Sequence, residues 1–225
     1  MKQRPILLTV VLILTAIYGQ QRIAMGQAPL PLSSSISGES ETWKKLATLH
    51  NRISPVYSDP NAKAKVIDDF IASEGPGLYR ELLDRIKEGF YARNELRDVA
   101  EVMVRIKPSP AEKLIAQIGA ENDPNQKAML VYCLGRFDGP NVISALRKAL
   151  DDTHPLVHAY RSIESAPWPV HRVSDEAYLA LLSKVQKGVP VEAASPTPAV
   201  RLPRDDQDRQ RRYDDLKAQL SALGY

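Results

Sequence analysis

The hexapeptide Asp59-Pro60-Asn61-Ala62-Lys63-Ala64 returns as Asp123-Pro124-Asn125-Gln126-Lys127-Ala128, 64 residues later. In each copy an aspartate stands where a helix cap is needed and a proline where the first helical residue falls, so each copy predicts a helix start. A third start of this kind, His154-Pro155, follows the second by 31 residues, one short of half the larger interval. The midpoint of the 64-residue interval falls on residues 91–96, YARNEL, which keep the schedule of a helix start without the proline. A period of about 31–32 with two helices per unit predicts stacked helical pairs, because a lone hairpin cannot bury its apolar face and its neighbours can.

The stretches between these marks fill in the pairs. Ser40 stands at a cap position, and Trp43, Leu46, Ala47 and Ile53 recur at helical spacing ahead of the Asp59-Pro60 helix with its Val66, Ile67, Phe70 and Ile71 face. Gly75-Pro76-Gly77 closes that hairpin. Leu78, Leu82 and Ile86, then Leu96, Val99, Met103 and Ile106, make the next pair, which stops at Lys107-Pro108 because proline disfavours a helical residue before it. Ser109-Pro110-Ala111-Glu112 reads as a capping box, with Leu114, Ile115 and Ile118 behind it. After Gly139-Pro140 come Val142, Ile143, Leu146 and Leu150, and after Pro167-Trp168-Pro169 a helix capped by Ser174 carries Ala177, Tyr178, Leu181, Leu182 and Val185.

The N-terminus places Lys2 and Arg4 before an apolar run over residues 6–19, with Gly26 and Ala28 beyond it. That is the layout of a secretory signal peptide over 1–28, with an uncleaved membrane anchor as the alternative. Its removal takes away three basic residues and no acid, so the 30 basic side chains of the whole chain fall to equal the 27 acidic ones. Neutrality of the mature chain argues against nucleic acid as a partner, which needs a clustered positive surface. With Cys133 as the single cysteine, no intramolecular disulfide is possible, and an exported chain of this kind relies on its apolar core.

Residues 29–38 are rich in proline and serine and read as a flexible spacer, 39–187 as the helical repeat domain, and 188–203 as a proline-rich linker. Residues 204–225 start with mixed charge and then show Tyr213, Leu216, Leu220 and Leu223 at steps of 3, 4 and 3, a seam of two heptads. Such a segment is too short to persist as a free helix, so it predicts an amphipathic C-terminal helix that docks in cis, on a partner or on a second copy.

The segment from Gly135 to Glu164, GRFDGPNVISALRKALDDTHPLVHAYRSIE, resembles the bacterial HEAT-repeat (PBS-lyase-like) family. Leu134-Gly135-Arg136, Ala145-Leu146, Ala149-Leu150, Asp151-Asp152 and Pro155-Leu156-Val157 carry the likeness, while His154 and His158 replace the usual acidic cap and arginine. The resemblance implies an all-α fold, a short right-handed α-solenoid of HEAT-like hairpins, and a role in protein–protein contact, a minority of such proteins acting on bilin chromophores.

Chemistry-bearing residues are sparse. His154 and His158 stand four apart, with Asp151, Asp152 and His171 as possible companions for a metal, but HPLVH lacks the glutamate of the zincin motif and His154 stands at a cap position. Cys133 lies at an apolar repeat position, where a small core residue is the usual occupant. Asp68-Asp69 and Asp151-Asp152 read as solvated helix ends, and Trp168 as a cover for the last packed repeat. No catalytic, cofactor-binding or metal residue is assigned on this basis. The expected function is an exported, periplasmic or secreted, non-catalytic scaffold for a protein or peptide partner, self-association through the C-terminal helix included. The alternative is a HEAT-like lyase or a chromophore- or ligand-handling protein, for which convergence of His154, His158 and Asp152 would speak.

Overall fold

The computed structural model describes residues 41–88, 93–161, 169–188, 203 and 205–225. The signal segment 1–28, the spacer 29–38, the Ser40 cap, Pro167, Trp168 and nearly all of the linker 188–203 lie outside the described residues. Within them the chain runs α1 Glu41–Ile53, a 3-10 turn Ser54–Val56, α2 Pro60–Glu74, α3 Leu78–Glu88, α4 Arg93–Arg105, α5 Ala111–Ala120, α6 Pro124–Leu134, α7 Pro140–Ala149, β1 Pro155–Arg161, β2 Pro169–Arg172, α8 Val173–Gly188 and α9 Asp206–Ala222. The described part is mostly helical, with one two-stranded sheet. Among the described residues no helix is long and apolar enough to cross a membrane.

The two copies of the hexapeptide build the same helix start. Asp59 accepts backbone N–H bonds from Asn61 and Ala62 at 2.9 and 3.0 Å, and Asp123 accepts them from Asn125 and Gln126 at 2.8 and 3.1 Å. Each cap satisfies two of the amides that a helix leaves unpaired at its N-terminus, and the proline at the first position has no amide to satisfy. The lysine of each copy then reaches an acid on a later element, Lys63 to Glu101 at 3.2 Å and Lys127 to Asp152 at 2.7 Å. Gly75, at φ 75°, closes α2 in a conformation that costs a side-chain-bearing residue more than glycine.

The helices stack by alternate members rather than strictly in chain order. Helix α1 lies against α2, α3 and α4, α4 against α6, and α6 against α8, while α5 packs on α6 and α7. Helix α6 is the hub, touching α3, α4, α5, α7, α8 and β1. Every residue from Ala128 to Leu134 is buried, so this helix has no solvent face and needs apolar side chains all round. At its end Gly135 lets α8 come close: a Cβ there would stand 2.7 Å from the Cβ of Ala180. That approach explains the glycine of the Leu134-Gly135-Arg136 motif by its close contact with α8.

Three local expectations are overturned. The His154-Pro155 segment does not start a helix: Pro155–Arg161 is a strand, antiparallel to Pro169–Arg172, with Pro155 opposite Arg172, Tyr160 opposite Val170 and an irregular register between. A short apolar run with β-branched and aromatic members suits either structure, and here a tertiary partner, PVHR, was at hand to pair it. The fold stays mostly helical, in keeping with the all-α expectation, with this small sheet as a local departure. The capping box at residues 109–112 does not close: Ser109 is only 3.4 Å from the Ala111 amide, and Glu112 instead accepts from Asn141 of α7 at 2.9 Å. Ser174 does not act as the cap expected of it: it lies inside α8, and Asp175 accepts the preceding backbone N–H groups.

Candidate functional site

The residues weighed from sequence are scattered into separate contacts. Asp152 accepts from Lys127 and from His154 Nδ1, both at 2.7 Å; burial opposes its charge, but these hydrogen bonds hold its carboxyl below the usual range. Asp151 pairs with Lys217 of α9 at 2.6 Å. His171 is exposed and enters through its backbone N–H, and the side chain of His158 lies outside the described residues. Among the described residues no group of three or more His, Cys, Asp or Glu side chains is placed to hold a metal ion. Cys133 is fully buried in α6, and burial pushes its thiol far up, so the thiolate that nucleophilic chemistry needs is suppressed. Asp68 is bound by Arg105 through Nε and Nη2 at 2.7 and 2.5 Å, a bidentate pair that keeps its carboxyl low, and Asp69 is exposed.

Two polar clusters that sequence reading did not single out are more developed. In the first, His50 Nδ1 of α1 stands 2.6 Å from Asp98 Oδ2 of α4, and Asp98 is almost wholly buried. Burial raises the Asp98 carboxyl, against the opposing pull of His50 and Arg97. Arg97 in turn lies 4.5 Å above the ring of Tyr57, with the Lys63 ammonium 5.1 Å from the same ring. Tyr57, just past the 3-10 turn, remains 45% exposed, an aromatic flanked by two cations at the surface.

The second cluster centres on Asp175, at the start of α8, with no solvent exposure. Its Oδ2 accepts from the backbone N–H groups of His171 and Arg172 at 3.0 and 3.1 Å. Its Oδ1 accepts from Arg209 Nε at 2.9 Å and from the Tyr213 hydroxyl at 2.6 Å, both on α9. A buried carboxylate is tolerated only when charge and hydrogen bonds replace its water, and these four donors do that. Burial, then the neighbouring Asp175 charge, pushes the Tyr213 hydroxyl well above the ordinary tyrosine range. Around this node Tyr213, Leu216 and Leu220 are buried, and the Tyr213 ring lies 5.5 Å from that of Tyr178 of α8. The C-terminal segment thus docks in cis, as a helix over Asp206–Ala222. Leu223, the fourth member of the expected seam, lies past the helix end and is 54% exposed.

The sequence held one trace of this node, the Arg209 and Tyr213 pair one helical turn apart, but its partner is 34 residues upstream of Arg209. Nothing local marks Asp175 as that partner. Compared with protein-family models, with curated proteins and with solved structures, the chain finds no match.

Proposed function

We propose that the chain is an exported, non-catalytic scaffold for protein–protein contact, built as a short right-handed α-solenoid of HEAT-like hairpins. The observation that carries this reading is the stacking of alternate helices, α4 on α6 and α6 on α8, with α5 and α7 packed beside them and with matching aspartate caps at Asp59 and Asp123 starting two of the helices. Such an array offers long exposed faces, and rigid aromatic side chains on them are the usual anchors for a partner. Tyr57, cradled by Lys63 and Arg97, is the anchor assigned here. Export rests on Lys2, Arg4, the apolar run over residues 6–19 and the small residues Gly26 and Ala28.

The test has two arms. N-terminal sequencing of the protein recovered outside the cytoplasm is expected to start near Pro29, and an intact Met1 on membrane-bound material would contradict export of a free chain. A photo-crosslinking amino acid at Tyr57 is expected to give one adduct of defined mass in cells, and the same group at Arg80, on the exposed side of α3, none. Adducts of equal yield and the same mass pattern at both positions would contradict a specific partner face.

A further inference from the structure

Among the described helices, α9 is set apart by packing chiefly on a single neighbour, α8, whereas α6 meets six elements. Its apolar anchorage is three side chains, Tyr213, Leu216 and Leu220. Among the polar contacts that hold it are Arg209 on Asp175 at 2.9 Å, Arg172 on Asp206 at 2.7 Å, Lys217 on Asp151 at 2.6 Å, and Arg147 on the Ser221 hydroxyl at 3.0 Å and the Tyr225 carbonyl at 2.6 Å. The Asp206 and Asp151 carboxylates are 70% and 69% exposed, so water and salt screen their pairs and they add little. Of these ion pairs, the Asp175–Arg209 pair is the one shielded from solvent on both sides, with Arg209 at 11% and Asp175 at 0% exposure.

Most of the packing of α8 is with α6 and α7 rather than with α9, and Ala177 and Leu181 are fully buried in the common core. Without α9, the Asp175 carboxylate keeps the His171 and Arg172 amides and regains water at Oδ1, where Arg209 and Tyr213 now donate. We propose that α9 is a releasable strap over a helix-binding seat formed by α8 and the Asp175 carboxylate. The seat selects an amphipathic helix with arginine at the first position, a tyrosine one turn on and leucines at the next two seam positions, the pattern of Arg209, Tyr213, Leu216 and Leu220. In the closed form the chain's own α9 fills it; in the open form a helix of the same chemistry does, and high local concentration keeps the tethered helix ahead of a weak competitor.

Native-state hydrogen exchange on the full chain reads the release directly. Amides of α9 are expected to exchange at least about ten-fold faster than those of α6, because they open without the core. A fluorescent synthetic peptide of residues 205–225 serves as the probe for the seat. It is expected to bind full-length chain carrying R209A and Y213A at least about ten-fold more tightly than the wild-type chain, and to lose that gain when D175N is added. Exchange of α9 and α6 in one common event would overturn the proposal. So would equal peptide binding to all three chains, or loss of helicity of the whole fold in the R209A/Y213A chain, since a strap is dispensable to what it covers.

Discussion

Helices α6 and α9 differ in how the fold holds them. Helix α6 has seven consecutive buried residues and six neighbouring elements, and its polar fixtures include the Asp123 cap, the Gln126 bond to the Lys87 carbonyl, the Lys127 bond to Asp152 and the Arg136 bond to the Tyr132 hydroxyl. Helix α9 buries three residues and is otherwise fastened by charges. Apolar burial is non-directional and insensitive to salt screening, whereas an exposed ion pair is weak and screened, so the first helix is part of the cooperative core and the second can part from it.

The largest effect is expected at the hub. Leu130→Ala should cost about 2–5 kcal/mol of global stability, because it empties space in the middle of the core. Chemical denaturation followed by circular dichroism measures it, and a loss no larger than that of Leu216→Ala in α9 would erase the contrast. Gly135→Ala comes next, at about 1–3 kcal/mol, since the new methyl group would meet Ala180 and α8 would have to move away. Asp123→Ala should cost about 1 kcal/mol through the lost cap. Lys217→Ala, which removes only the pair with exposed Asp151, should change global stability by less than about 1 kcal/mol and leave α6 untouched.

Alkaline pH sharpens the comparison. Tyr213 is held protonated in the folded state, above its usual value near 10, so its contribution is intact below that pH and is lost as pH rises past it. The docking of α9 is therefore expected to loosen above about pH 10, and Tyr213→Phe to remove that part of the pH dependence, read from the exchange of α9 amides. Tyr79, pushed up to about 12 by burial, adds a second alkaline loss between 10 and 12 in the body of the fold, which Tyr213→Phe should leave in place.

What sequence reading reached, and what it missed, divides along the same line. The caps at Asp59 and Asp123, the start of α7 at Gly139-Pro140 and the buried stripes of α2 to α8 depend on spacing within one element, and they stand where spacing put them. The strand at Pro155–Arg161 depended on a partner strand, and the open capping box on an asparagine 29 residues away. Asp175 depends on three elements at once. Its residue type is ordinary at a helix start, and only the arrival of Arg209 and Tyr213 makes it a node.

Cys133 offers the most direct measurement, because the single cysteine of the chain lies fully buried in α6 and reacts with a thiol reagent only when the core opens. Its labelling rate is to be compared in the wild-type, R209A and L130A chains. The account predicts that R209A, which loosens α9, leaves the rate within about two-fold of wild type, while L130A raises it by at least about ten-fold, the change that 1.4 kcal/mol of core destabilisation produces. Equal acceleration by R209A and L130A would show that α9 and α6 open together, and would contradict the division into a cooperative hub and a strap.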